Sequence, residues 1–355
     1  MAANGKLVLV TGGSGFIALH VIHKLLEKGY RVRATVRSLR RADDVRTALA
    51  SAGVAASAIA GVEFAEVDLL GDAAGWDAAC AGADAVLHVA SPFPSSEPAD
   101  EEELIRPARE GTLGALRAAA TAGTVKRVVV TSSVAAVFYG HAPTRTAPFT
   151  EADWTELQHP QSFVGAYPKS KTLAERAAWD WLAGEGKDAG VELVTVNPVV
   201  VCGPSLGTAV NTSLEIPRRL LSGAMPAIPD IHFGIVDVRD VADLHVLALE
   251  APRAAGQRYI AVSDEPSVSI RQMAADLRSG LPAEDTRRLP SLPAPKILMR
   301  LASFFDRSIA VVLPEIGVVR PVSNAKAREE LGWRPRSAAE ALVASAKSLK
   351  ANGQL

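Results

Sequence analysis

Short apolar runs alternate with Ala-, Leu- and Arg-rich helical stretches up to residue 198, and this alternation restricts the fold more than any other feature. The runs KLVLVT (6–11), RVRATVR (31–37), VEFAEVD (62–68), DAVLHVAS (84–91), KRVVVTSS (126–133) and VELVTVNP (191–198) read as strands. Helical patterns fall between them near 16–28, 41–51, 72–80, 101–122 and 167–184. Strands separated by helices imply βαβ units with right-handed crossovers and a parallel sheet buried on both faces. The expected fold is therefore α/β, a doubly wound parallel sheet of the Rossmann kind. After residue 198 prolines become frequent, which predicts longer loops and shorter helices. VDVRDVADLHVLALE (236–250) reads as a helix opened by an acidic cap at Asp237 or Asp240. We expect residues 1–198 to form the Rossmann domain, with the segment about 236–262 returning to it. Residues 199–355 then form mainly a smaller substrate-binding lobe over the carboxyl edge of the sheet.

With 355 residues the chain is long enough for one large α/β domain, or a main domain with an appendage. Its 48% hydrophobic content suffices for a large core. A net charge of −1 leaves no basic field for nucleic acid or an anionic membrane. The two cysteines, Cys80 and Cys202, are too far apart in sequence for a metal cluster or a disulfide framework, and they suit a reducing cytosol. No apolar run reaches about 18 residues, so no membrane span is expected. The lysine and apolar stretch at the N-terminus resemble a signal peptide. However, Gly-Gly-Ser-Gly interrupts that stretch, and cleavage would remove the loop considered next. The expected location is cytoplasmic.

LVLVTGGSGFIALHVIHKLLEKGY runs from strand through a glycine turn into a helix. Gly13-Ser14-Gly15-Phe16-Ile17-Ala18 satisfies G-x-G-x-x-A, and from Gly12 the stretch also reads as T-G-x-x-G-x-x-A. Glycine permits the turn and the approach of backbone N–H groups to a pyrophosphate, and a small residue at 18 lets the helix pack on the sheet. The helix N-terminus adds partial positive charge. The plain alternative is a tight βα turn, but a position at the first strand–helix junction favours dinucleotide binding. An acid about 20 residues on would bond the adenosine ribose of NAD. Here the second strand ends ATVRS, with Arg37 at that place and Ser38, Arg40 and Arg41 close by. This favours a 2′-phosphate and therefore NADP(H) over NAD; the alternative is a solvated arginine cluster. Asp68 and Leu69 follow the third strand and can meet the adenine edge, or Asp68 can cap a helix. The fourth strand ends HVAS with small side chains that leave room for cofactor.

The next strand ends in Thr131, Ser132 and Ser133. Ligands of doubly wound sheets bind at the carboxyl ends of strands, so a hydroxyl there faces the site or bonds its own turn. Tyr167 and Lys171 stand four apart on a predicted helix and share a face. A phenol of pKa near 10 is a poor acid or base at neutral pH, and a cation one turn away is expected to lower it. In that geometry Lys171 also grips ribose, Ser133 polarises a carbonyl, and Tyr167 supplies the proton that completes reduction to an alcohol.

Across nearly its whole length the chain resembles the extended short-chain dehydrogenase/reductases of the NAD-dependent epimerase/dehydratase family. Within them it is similar to the dihydroflavonol-4-reductase-like and aldehyde (carbonyl) reductase branch. The likeness rests on TGGSGFIA, ATVRS, DLL, VLHVASPF, PAREGTLGALRAA, VVVTSSVAAV, YPKSK, NPVVVCGP and VDVRDVADLHVLAL. It implies Ser133, Tyr167 and Lys171 as the catalytic set. It also implies a cofactor site of Thr11, Gly12, Gly15, Phe16, Ile17, Arg37, Asp68, Leu69, Val89, Ala90 and Ser91, with Pro198, Val200 and Ser213 towards the nicotinamide. Ala108 precedes Arg109-Glu110-Gly111-Thr112 where the sugar-nucleotide epimerases often carry Asn, which points to the reductase branch.

The implied activity is NADPH-dependent reduction of a small carbonyl compound by a monomer or homodimer. Alternative readings are an epimerase or dehydratase of nucleotide sugars and a non-catalytic NADP-sensing regulator. Phe93 and Pro94, with Tyr139 and His141, are candidates for the substrate pocket. Trp154 reads as a packing anchor or a pocket wall. His20 and His23 have helical i, i+3 spacing without a carboxylate partner, so they read as packing or surface residues and no metal is expected. Asp237 and Asp240 read as caps and salt-bridge partners, and Cys202 as buried and inert.

Overall fold

The computed structural model describes residues 5–92, 98–142, 144–158, 164–207, 214–302 and 313–355. Phe93, Pro94 and Ser213, predicted to line the pocket or the cofactor site, lie outside the described residues.

The strands in chain order are β1 (Leu7–Val10), β2 (Arg31–Val36), β3 (Glu63–Glu66), β4 (Ala85–His88), β5 (Arg127–Thr131), β6 (Glu192–Pro198), β7 (Val200–Cys202), β8 (His232–Phe233), β9 (Ile235–Asp237), β10 (Arg258–Ala261) and β11 (Val268–Ser269). The helices are α1 (Phe16–Glu27), α2 (Ala42–Ser51), α3 (Ala56–Ala60), α4 (Ala73–Cys80), α5 (Glu102–Ala122), α6 (Ala166–Ala183), α7 (Glu215–Ser222), α8 (Val238–Glu250), α9 (Ile270–Gly280), α10 (Lys296–Ala302), α11 (Ala325–Leu331) and α12 (Ala338–Ala351).

Seven strands form one sheet in the order β10-β6-β5-β4-β1-β2-β3. Every pairing in it is parallel. β1 and β4 are neighbours in the sheet though two strands intervene in sequence. The chain order reverses there, and this is the switch point outside whose strand ends ligands bind. The strands read as near-continuous apolar runs because both faces are covered: β1 and β4 are buried at every residue. One core, with Ile22, Leu25, Val45 and Leu244, lies under α1, α2 and α8. The other, with Trp76, Leu116, Ala178 and Trp181, lies under α4, α5 and α6.

The segment 236–262 runs through the end of β9 and α8 to β10. Asp237 is the N-cap of α8 and its side chain accepts from the Arg239 amide, while Asp240 sits inside the first turn. α8 then crosses to β10, which adds the edge strand beside β6. That strand, Arg258–Ala261, is a feature the sequence reading did not resolve.

The second lobe has a core of its own, in which Leu220, Ile231, Ile235, Met273 and Leu342 are buried together. The pairs β7–β9 and β8–β11 frame it. α12 opens with a capping box between Ser337 and Glu340. Two of its hydroxyls reach back to the segment after β7: the Gly203 amide donates to Ser345 Oγ at 2.7 Å and the Ser205 amide to Ser348 Oγ at 2.8 Å.

Candidate active site

The glycine loop, which follows β1, is tied to β2 and to the end of β4. The Gly12 amide donates to Thr35 Oγ1 at 3.0 Å and the Gly13 amide to the Thr35 carbonyl at 2.8 Å. Thr11 Oγ1 accepts from the Ala90 amide at 3.0 Å and is bonded to His88 Nδ1 at 3.0 Å. Gly12 has φ 68°, a left-handed conformation that disfavours a side chain, and a Cβ there would meet Ala90 Cα at 3.0 Å. Gly15 is the N-cap of α1, with no side-chain cap and no acid in the first turn, so the helix dipole is unopposed. These features fit a pyrophosphate: close backbone, free first-turn N–H groups and no competing carboxylate.

Around this loop, Phe16 begins α1 with its ring edge-on to His20, and Ile17 is half-buried. Arg37 lies one residue past β2 and is exposed, with no carboxylate bonded to it among the described contacts. Asp68 is exposed, and its carboxylate takes the Leu70 amide at 2.8 Å in a tight turn. Leu69 beside it packs against α5, where Gly111 leaves the room: a Cβ at 111 would lie 2.6 Å from Leu69 Cδ2. Val89, Ala90 and Ser91 follow β4 and are half-buried. Pro198 ends β6, and the Val200 amide donates to the Gly234 carbonyl at 3.1 Å.

Ser133 follows β5, 8% exposed, and caps a short 3-10 turn by accepting from the Ala135 amide at 3.1 Å. Tyr167 and Lys171 lie in the first two turns of α6, with Pro168 where its missing N–H costs nothing. Tyr167 and Ser133 are joined by a side-chain hydrogen bond. Lys171 Nζ donates to Ser91 Oγ at 3.0 Å and stands 6.0 Å from the centroid of the Tyr167 ring. The fold thus gathers one group each from the ends of β4 and β5 and two from α6.

One electrostatic expectation is corrected. Burial pushes the Tyr167 phenol up to about 12; the Ser133 hydrogen bond, rather than Lys171, opposes the rise. Burial draws the Lys171 ammonium down to about 8, against the nearby Glu175. Desolvation of both groups outweighs their influence on each other.

Behind the site lies a network absent from the sequence reading. Glu175, one turn beyond Lys171, pairs with Arg258 of β10 at 2.7 Å. Arg258 also donates to the Glu151 and Asp153 carbonyls, each at 2.7 Å, and stacks 3.8 Å from the Trp154 ring centroid. Trp154 is therefore a packing anchor. His141 is held by the Trp154 carbonyl at 2.9 Å and by Glu156 at 3.4 Å. Tyr139 is half-buried under Arg320, 5.0 Å from its ring centroid. His20 is buried against the Pro204 carbonyl, His23 pairs with Glu27, and Asp240 with Arg336. Burial pushes the Cys202 thiol up to about 12, as expected of an inert cysteine. Among the described residues no three His, Cys, Asp or Glu side chains cluster as metal ligands, and no helix is long and apolar enough to cross a membrane.

The profile of the NAD dependent epimerase/dehydratase family matches residues 8–262. The chain belongs to this family. Cinnamoyl-CoA reductase 2 of Arabidopsis thaliana is 39% identical over 263 residues, covering 73% of this chain and 74% of the plant enzyme. Ketoreductase azaE of Aspergillus niger is 36% identical over 327 residues, covering 87% and 92%. The crystal structure of yeast methylglyoxal/isovaleraldehyde reductase Gre2 complexed with NADPH superposes with a TM-score of 0.80 at 28% identity, covering 98% of this chain and 100% of Gre2. The epimerase/dehydratase match ends just after β10, so it spans the seven-stranded sheet and leaves most of the second lobe outside it.

Proposed function

We propose that this chain is an NADP-dependent oxidoreductase that reduces an aldehyde or ketone to the alcohol, reversibly. The observation that carries the reading is the Tyr167–Ser133 hydrogen bond, with Lys171 one turn along α6, at the carboxyl edge of the sheet beside an uncapped glycine loop. The named reductases among the relatives, and NADPH in the Gre2 crystal, support it.

Gly12, Gly15 and the first turn of α1 hold the pyrophosphate, Arg37 the 2′-phosphate, and Asp68 and Leu69 the adenine. Val89, Ala90, Ser91, Pro198 and Val200 line the inner cofactor. When bound, reduced nicotinamide supplies the hydride. Ser133 donates to the carbonyl oxygen and polarises it. A phenol held at about 12 remains protonated at neutral pH, so Tyr167 has its proton in place for the alkoxide that forms on that oxygen. Lys171, still mostly ammonium at neutral pH, exchanges Ser91 for ribose hydroxyls and stabilises the phenolate left behind.

Residues 199–355 act mainly as the substrate lobe. The setting is a reducing cytosol, in keeping with two buried free cysteines, and the protein acts as a monomer or homodimer. The test is a screen of NADPH oxidation over aldehydes, ketones, diketones and flavonoids. Turnover that depends on Tyr167 supports the reading. Tightly retained oxidised cofactor with no turnover of any simple carbonyl would favour an epimerase or dehydratase instead.

A further inference from the structure

Glu175 is 1% exposed and accepts five hydrogen bonds. Its Oε2 takes Ser132 Oγ at 2.5 Å and Asn197 Nδ2 at 2.7 Å. Its Oε1 takes Arg258 Nε at 2.7 Å, Thr195 Oγ1 at 2.9 Å and Trp179 Nε1 at 3.5 Å. These donors arrive from the end of β5, from β6, from β10 and from α6 itself. A carboxylate has about four lone-pair sites, so an ionised Glu175 is saturated. Asn197 Nδ2 lies between that carboxylate and the Ser133 carbonyl, 3.2 Å away. Neither acceptor can donate, so the amide cannot turn over without setting oxygen against oxygen.

We propose that Glu175 is a positioning residue for carbonyl reduction: through Asn197 and Ser132 it fixes the backbone that carries Ser133, and it sets a buried negative charge one turn from Lys171. This rests on reading Ser133, Tyr167 and Lys171 as the catalytic set. The second role agrees with the surroundings of Lys171. Glu175 is the charge that opposes the fall of its ammonium on burial. His88, from β4, is driven down to about 3 by burial and is neutral. Tyr167 is protonated, Ser91 is uncharged, and Glu101 at the start of α5 is engaged by Lys169 at 2.7 Å. β6 contributes the uncharged Thr195 and Asn197, and Arg258 from β10 meets Oε1 of Glu175.

Glu175→Gln keeps the shape and removes the charge. The alkaline limb of kcat/KM should move to lower pH by about half a unit to one unit, because the lysine loses the group that sustains its charge. Equilibrium NADPH binding, followed by fluorescence against pH, should shift with it. Glu175→Asp keeps the charge and should keep the limb. Asn197→Leu cuts the branch to Ser133 alone and should lower kcat about tenfold with the limb unmoved. If Glu175→Gln does not fold, Glu175→Gln/Arg258→Gln leaves no lone buried charge and carries the same measurement. If neither folds, Asn197→Leu still tests the positioning of Ser133 by itself. Unmoved pH profiles in a folded Gln variant, or an unchanged kcat in Asn197→Leu, overturn the proposal. Tyr167→Phe is run beside them: if it retains activity, the catalytic reading itself fails, whereas an inactive Tyr167→Phe with unmoved profiles sinks only the role of Glu175.

Discussion

Lys171 Nζ is bonded to Ser91 Oγ at 3.0 Å, a contact that joins α6 to the end of β4 across 80 positions of chain. The ammonium is thus met by a neutral hydroxyl rather than locked in an ion pair. A hydroxyl is an easily exchanged partner, so the same nitrogen can pass to ribose oxygens at little cost. Tyr167 is similarly met by the Ser133 hydroxyl, and each of the two α6 side chains is oriented by a serine at a strand end.

In the proposed mechanism the Tyr167 phenol is the proton donor. Tyr167→Phe should lower kcat for carbonyl reduction by about 10²–10⁴-fold while leaving the NADPH Kd within a few-fold. Steady-state kinetics together with fluorescence titration separate the two effects. Unchanged kcat would refute the assignment.

The pH profile should carry the signature of Lys171. Its ammonium is drawn down to about 8, so kcat/KM should fall as pH rises through that value. In Lys171→Arg the guanidinium does not deprotonate, and whatever activity survives should lose this limb. A limb at the same pH in both proteins would assign it to another group.

Arg37 is exposed at the end of β2, at the place where NAD-specific folds carry an acid. With Arg37 holding the 2′-phosphate as proposed, Arg37→Asp should lose a charge-assisted contact and add repulsion, moving the NADPH/NADH ratio of kcat/KM towards NADH by about 10–100-fold or more. An unchanged ratio would mean that the 2′-phosphate is read elsewhere.

Gly12→Ala combines a left-handed backbone with a contact at 3.0 Å to Ala90 Cα. We expect a loss of about 1–3 kcal/mol of stability, visible as a lower Tm, and a weaker NADPH Kd because the loop must open to accept the methyl group. The same substitution at Gly29, where a Cβ meets nothing within 4 Å, controls for the backbone term.

Acid should destabilise the fold through three buried histidines. Burial draws His20 and His245 down to about 4 and His88 to about 3, from an ordinary value of 6.5. The unfolded chain therefore binds more protons than the native one below pH 6.5. Stability is full above that value and is lost as pH falls towards the folded values, by on the order of 3 kcal/mol per histidine. Chemical denaturation from neutral pH to about pH 4 measures it.

The sheet was legible because its strands are buried on both faces and its helices on one, which leaves continuous apolar runs alternating with amphipathic stretches. The strands predicted from the first half all appear, each ending within a few residues of the expected position. The glycine turn between β1 and α1 was legible because it is written in consecutive residues. β10 was not, since RYIA is short and opens with an arginine, a poor advertisement for a buried strand. That arginine is buried because Glu175 and Trp154 receive it, and no local pattern reports partners from distant elements. The expected lowering of the Tyr167 phenol failed for a related reason: helical spacing gave the distance to Lys171 correctly but carried no information about desolvation. A carboxylate one further turn past Lys171 was a visible signal, though nothing in the sequence told whether it faced solvent or the sheet.

The hydroxyls of Ser345 and Ser348 have a consequence for synthesis. The Gly203 amide finds its acceptor 142 positions later, so the turn after β7 remains incomplete until α12 has left the ribosome. The seven-stranded sheet closes with β10, well before that. A growing chain can therefore assemble its glycine loop and strand edges while its other lobe is still open, and NADPH added during translation should protect the sheet from protease before it protects the residues of the second lobe.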